Sequence, residues 1–168
     1  MLGVWHFSFT VSDIDRSVDF YTRVLDFELV HTQRQNNEYT PSLVGYSDAD
    51  LDVAQLVVPG QPRFLSTHDL ELVHYRSPVG RRGDTNISNP GAAHLALGVT
   101  DMDLWYRRLL DERVETVSPP NLISAGVNAG GSAMYFYDPD RIVLELVQPP
   151  PAVLDRLRDP DSPEGNQP

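Results

Sequence analysis

Apolar and polar positions alternate from the start of the chain. In "VWHFSFTV" Trp5, Phe7, Phe9 and Val11 share one parity, and His6, Ser8 and Thr10 the other. That pattern predicts a strand over residues 4–11 with one dry face. The period then changes. Ile14, Val18, Tyr21 and Leu25 keep helical spacing through "IDRSVDFYTRVL", and Ser12 or Asp13 is placed to cap that helix. Strands follow in "FELVHTQRQ", "LDVAQLVV" and "LELVHY", with "PGQP" as punctuation before the last of them. "SPVGRRGDTNISNPG" has no periodicity and reads as a linker. Beyond it the order repeats: a strand "AHLALGV", a helix "DMDLWYRRLLDE", an extended segment around "ETVSPPNLI", a strand "AMYFY", a turn "DPDR" and a strand "IVLELVQ".

Each half is therefore βαβββ, and the fold class expected is α+β. A single domain is expected over residues 1–148, with a first module at 4–77, a linker at 78–90 and a second module at 91–148. Residues 149–168 are a Pro-rich tail, read as a helical turn or two followed by disorder.

The repeat is also written in specific residues. "HFSFTVSDID" and "HLALGVTDMD" each begin with His and place Val five, Asp seven and a second Asp nine positions later. "LELV" recurs near the end of both halves, at residues 70–73 and 144–147. The interval from His6 to Glu71 is 65 positions and that from His94 to Glu145 is 51. The first half thus holds 14 extra residues, expected in loops, either within "NNEYTPSLVGYSDAD" or around "PGQPRF".

Strand parity gives these residues a common direction. His6 lies opposite the Trp5/Phe7/Phe9 face and Glu71 opposite Leu70 and Leu72. His94 lies opposite Ala93 and Leu95, and Glu145 opposite Leu144 and Leu146. Two imidazoles and two carboxylates on such faces suit a divalent cation such as Zn, Ni, Co, Mn or Fe, with the carboxylates offsetting its charge. His74 has the opposite parity to Glu71, and His31 and His68 have no counterpart in the second half. All three are expected to be structural or surface residues. Tyr135 and Tyr137 share a face of their strand and are candidates to line a cleft.

Composition narrows the classes of partner. Thirteen basic against 24 acidic residues give a net charge of −11, which disfavours phosphate backbones and anionic lipid surfaces. Nucleic acid and membrane are not expected as partners. The absence of Cys excludes disulfides, thiolate nucleophiles and Cys-ligated zinc. Nothing at the start reads as a signal peptide, and no apolar run approaches the roughly 18 residues of a membrane span. A cytoplasmic protein is the expectation.

"HFSFTVSDIDRSVDFYTRVLDFEL", "LELVHY", "HLALGVTDMDLWYRRLLDE" and "YFYDPDRIVLELVQ", taken in order, resemble the vicinal oxygen chelate superfamily. It includes glyoxalase I, methylmalonyl-CoA epimerase, extradiol dioxygenases and bleomycin- or fosfomycin-resistance proteins. The resemblance implies paired βαβββ modules whose sheets curl around a metal cleft, with His6, Glu71, His94 and Glu145 as ligands. That set is most similar to bacterial glyoxalase I. The implied activity is proton transfer on a small oxygenated carbonyl metabolite chelated through adjacent oxygens, as a lyase, isomerase or epimerase, with Glu145 and Glu71 as candidate bases. The resemblance also implies a homodimer. Two other readings remain open: a ring-cleaving Fe(II) dioxygenase, against which Glu71 as a fourth ligand argues, and a small-molecule-binding resistance protein without turnover. Family members commonly carry Gly after "DPD", where this chain has Arg141. A turn requiring positive φ there would strain it.

Overall fold

The computed structural model describes residues 1–61 and 65–158. The chain divides into two compact units, Met1–Gly83 and Asp84–Pro168, with the boundary inside the expected linker.

The first unit runs β1 (Phe7–Thr10), α1 (Ile14–Asp19, prolonged by a π-helical turn, Phe20–Val24), β2 (Glu28–Gln35), α2 (Thr40–Val44), β3 (Asp50–Val57) and β4 (Leu70–Ser77). The second runs β5 (His94–Gly98), α3 (Met102–Asp111), β6 (Asn121–Leu122), β7 (Ser132–Tyr137), β8 (Val143–Gln148) and α4 (Pro151–Arg158). The sheets have matching orders, β1-β4-β3-β2 and β5-β8-β7-β6. In both, the first strand pairs parallel with the last, and the other neighbours are antiparallel. The expected α+β architecture of two repeated modules is present, each as an open four-stranded sheet.

Both main helices start on the Asp written seven positions after the repeated His. Asp13 accepts a hydrogen bond from the Arg16 backbone N–H at 3.0 Å, and Asp101 one from that of Leu104 at 2.9 Å. Each side chain satisfies one of the donors that a helix start leaves open. The second Asp of each repeat, Asp15 or Asp103, lies in the first turn, where the helix dipole favours negative charge.

In the first unit α1 packs against β3 and β4. Phe9, Ala54, Leu56, Leu70 and Leu72 share a sheet face by register and are buried, as are Tyr21 and Val24 of the helical segment. In the second unit Met134, Phe136, Leu144 and Leu146 form the corresponding buried face. Burying these aliphatic and aromatic side chains stabilises each unit by roughly 1.5–3 kcal/mol per residue. Glu71 and Glu145 fall on the opposite faces, as strand parity requires.

Several expectations need correcting. β1 begins only at Phe7, because its partner β4 begins at Leu70 and the pairing opens with Phe7 against Leu70. Val4 and Trp5 have no strand partner and are exposed, Trp5 by 58 %. The region assigned to an insertion contains α2, started by Pro41 in its first turn and ended by Gly45 at φ 79°. The helical turns expected at the start of the tail are α4, which buries Leu154. The disorder expected beyond it falls outside the described residues, as does the "PRF" of "PGQPRF". Among the described residues no helix is long and apolar enough to cross a membrane.

Candidate metal centre

Parallel pairing fixes how each His meets its Glu. In the first unit Ser8 pairs with Glu71, so His6, two positions back, lies on the face of Glu71. Its Nε2 is 3.8 Å from Oε1 of Glu71. In the second unit Ala96 pairs with Glu145, and His94 takes the same offset. Its Nε2 is 3.2 Å from Oε2 of Glu145. Each unit thus brings together the His and the Glu expected of it. The carboxylates are mostly buried, with side-chain exposures of 19 % and 16 %, while the imidazoles remain open to 28 % and 38 %.

These distances suit a shared cation. Donors bonded at about 2.1 Å to one ion stand roughly 3–4.2 Å apart, depending on the angle between them. Neither carboxylate meets a Lys or Arg among the described residues; their ionic neighbours are imidazoles. The charge of each is therefore left for a cation rather than spent on an internal pair.

The strand beside each Glu adds a polar neighbour at the same register. Gln55 on β3 faces Glu71 and donates from Nε2 to Oε2 at 3.5 Å. Tyr135 on β7 faces Glu145. Its pKa is raised, first by burial and then by the charge of Glu145 and a hydrogen bond with it. The phenol consequently stays protonated through neutral pH as a donor to that carboxylate. Its ring also meets that of His94 edge-on, with centroids 5.4 Å apart. Tyr137, on the same face, carries the Arg141 guanidinium over its ring at 4.2 Å.

Arg141 has φ 64°, the left-handed conformation that its place after "DPD" had called into question. Its side chain turns back to pair with Glu115 as well as to cover Tyr137. His31 is exposed beside Gln33, and Nδ1 of His74 lies 3.2 Å from the Val11 carbonyl oxygen, both apart from the Glu71 site as expected.

His68 was assigned no part in the site. It is buried, with side-chain exposure of 5 %, yet its ring stacks on His6 and its Nε2 lies 3.7 Å from Oε2 of Glu71. His6, His68 and Glu71 offer ligand atoms within 4.8 Å of one another. The spacing Gln55–Glu71 is 16 positions against 10 for Tyr135–Glu145, so 6 of the extra residues of the first half lie in the β3–β4 connection. The other 8 lie between His6 and Gln55. His68 belongs to that longer connection, which is why the repeat has no counterpart for it.

The family described as Glyoxalase/Bleomycin resistance protein/Dioxygenase superfamily matches residues 3–146. A curated relative, the 2-epi-5-epi-valiolone epimerase of an Actinomyces species, is 32 % identical over 153 residues, covering 89 % of this chain and 80 % of its own. Among solved structures, a glyoxalase family protein from Bacillus cereus superposes with a TM-score of 0.75 at 18 % identity, over 89 % of this chain and 95 % of its own. The fosfomycin resistance protein FosX of Listeria monocytogenes, solved with Mn(II) and sulfate, gives a TM-score of 0.55 at 16 % identity, over 90 % of this chain and 96 % of its own.

Proposed function

Because the chain belongs to the Glyoxalase/Bleomycin resistance protein/Dioxygenase superfamily, we propose that it is a divalent-metal-dependent epimerase. Its substrate is a small oxygenated metabolite with an acidic C–H beside a carbonyl. One observation carries this reading: each unit sets a His beside a Glu at the same strand register, with no Lys or Arg on either carboxylate among the described residues. The relative that acts as an epimerase supports the reaction class.

The proposed ligands are His6, Glu71, His94 and Glu145, and the ion is Zn, Ni, Co, Mn or Fe(II). When bound, the cation supplies Lewis acidity toward adjacent substrate oxygens, stabilising the negative charge that develops as the proton leaves. The chain itself handles the proton. Glu145 and Glu71 are the proposed bases, since a carboxylate can take the proton from the carbon beside the carbonyl and return one to it. Tyr135 faces Glu145 across the strand pair and offers its hydroxyl to that carboxylate. The half-open imidazoles leave that side of each pair accessible to a small molecule.

The test uses metal-stripped protein reloaded with Mn(II), Co(II), Ni(II) or Zn(II). Each form is incubated in heavy water with 2-epi-5-epi-valiolone and a panel of α-hydroxy ketones, and followed by NMR. Deuterium at the carbon beside the carbonyl, together with a second epimer, is expected. Glu145→Gln and Glu71→Gln should each abolish the exchange. Metal-loaded protein that exchanges none of the panel overturns the reaction. Protein that takes up no cation overturns the metal.

A further inference from the structure

We propose that His68 is a positioning residue of the first unit's half of the site, fixing the aim of both His6 and Glu71 without itself ligating the ion. The inference rests on the reading that His6 and Glu71 hold a divalent cation.

The first observation concerns His6. A metal-binding imidazole ordinarily gives its rear N–H to a carbonyl or carboxylate, which sets the direction of the ring. Nδ1 of His6 is buried and makes no hydrogen bond among the described residues. The residue also lies one position before β1, outside the ladder that steadies a strand. His94, by contrast, is the first residue of β5 and carries the edge of Tyr135 against its ring. What bears on the His6 ring is the face of His68, with centroids 4.8 Å apart and planes inclined by 28°.

That same geometry argues against His68 as a ligand. Each imidazole lone pair lies in its ring plane, so two rings share an ion only where their planes meet. Rings stacked at 28° with centres 4.8 Å apart direct their lone pairs in separate, nearly parallel planes rather than toward one point. The stack therefore orients one donor and does not add another.

The second observation concerns Glu71. Its two oxygens have different surroundings. Oε2 lies between Gln55 Nε2 at 3.5 Å and His68 Nε2 at 3.7 Å, whereas Oε1 is turned to His6. Ser66 Oγ accepts the His68 backbone N–H at 3.2 Å and lies 3.3 Å from Nδ1. The hydroxyl can donate to Nδ1, and in that tautomer the imidazole proton sits on Nε2, beside Glu71. The side chain is seated firmly, because next to it Asp69 donates its N–H to Leu56 O and accepts the Val58 N–H at Oδ2, both at 2.9 Å. The longer β3–β4 connection thus delivers a buried imidazole whose ring stacks on His6 and whose Nε2 lies 3.7 Å from Oε2, beyond hydrogen-bond length, while Oε1 is turned to His6.

The test is Co(II) binding to the full-length, metal-stripped chain. Affinity is measured by calorimetry, and the coordination sphere by visible absorption and by X-ray absorption at the cobalt edge. His68→Ala should weaken Co(II) binding by about 10- to 100-fold, the usual effect of losing a group that orients a ligand. The number of bound imidazoles and the shape of the cobalt spectrum should stay as in the parent. His68→Phe keeps a flat ring against His6 and removes only the nitrogens, so it should recover part of the lost affinity. It also serves should the alanine variant fold poorly by circular dichroism. Affinity unchanged in both variants overturns the proposal, as does the loss of one imidazole from the cobalt sphere. A parent protein that binds no Co(II) overturns the metal reading itself, which separates the two failures.

Discussion

Replacing Tyr135 with Phe tests whether Glu145 works as a metal ligand held by its neighbour. The change removes one oxygen and leaves the ring, so the edge contact with His94 at 5.4 Å survives. What is lost is the hydroxyl that faces the carboxylate directly across the strand pair. Losing a group that orients a metal ligand typically weakens binding by about 10- to 100-fold. Tyr135 is only half-buried, so water can replace part of the loss, and the lower end applies. That lower end is a factor of roughly ten in affinity. Titrating Mn(II) or Co(II) into stripped protein by calorimetry should therefore show Kd about tenfold weaker in Tyr135→Phe. Tyr137→Phe is the control: it lies on the same face, but Arg141 occupies its ring, and its Kd should stay within about twofold of the parent. Unchanged or tighter binding in Tyr135→Phe, or equal loss in both variants, would refute the reasoning.

Leu144 is fully buried on the inner face of β8, so Leu144→Ala should cost about 3 kcal/mol; a thermal midpoint lowered by roughly 10 °C would match that, and a shift near zero would contradict it. At position 141 the left-handed backbone costs a non-glycine residue roughly 1–2 kcal/mol. Arg141→Ala and Arg141→Gly lose the same contacts with Glu115 and Tyr137, and only Gly escapes that cost. The Gly variant should be the more stable of the two by about 1 kcal/mol in urea unfolding, and equal midpoints would show that the turn is unstrained. Asp101→Ala removes the N-cap of α3 and should destabilise the second unit by about 1 kcal/mol, with Asp101→Asn restoring most of it.

What could be read in the chain, and what could not, divides along a physical line. A strand alternates with a period of two whatever surrounds it, so the faces of His6, Glu71, His94 and Glu145 followed from counting. The parallel pairing of Ser8 with Glu71 and of Ala96 with Glu145 then set each His beside its Glu. Helix starts were equally local, since Asp13 and Asp101 cap through a bond three residues along. Where β1 starts was not local: it depends on where β4 begins, and Trp5 alternates correctly with no strand to pair against. The short α2 did carry signals, Pro41 at its start and Gly45 at its end, but a helix of one turn is too short to show a period. His68 lay furthest from reach. The connection that carries it has no periodicity and no partner in the repeat, and asking which residues recur passes over a residue that occurs once. The signal that could have found it is the length difference itself. When one of two repeated hairpins is longer beside a ligand position, a buried polar residue in the excess has been given a chance to touch that ligand, and His68, stacked on one donor and facing another, has taken it.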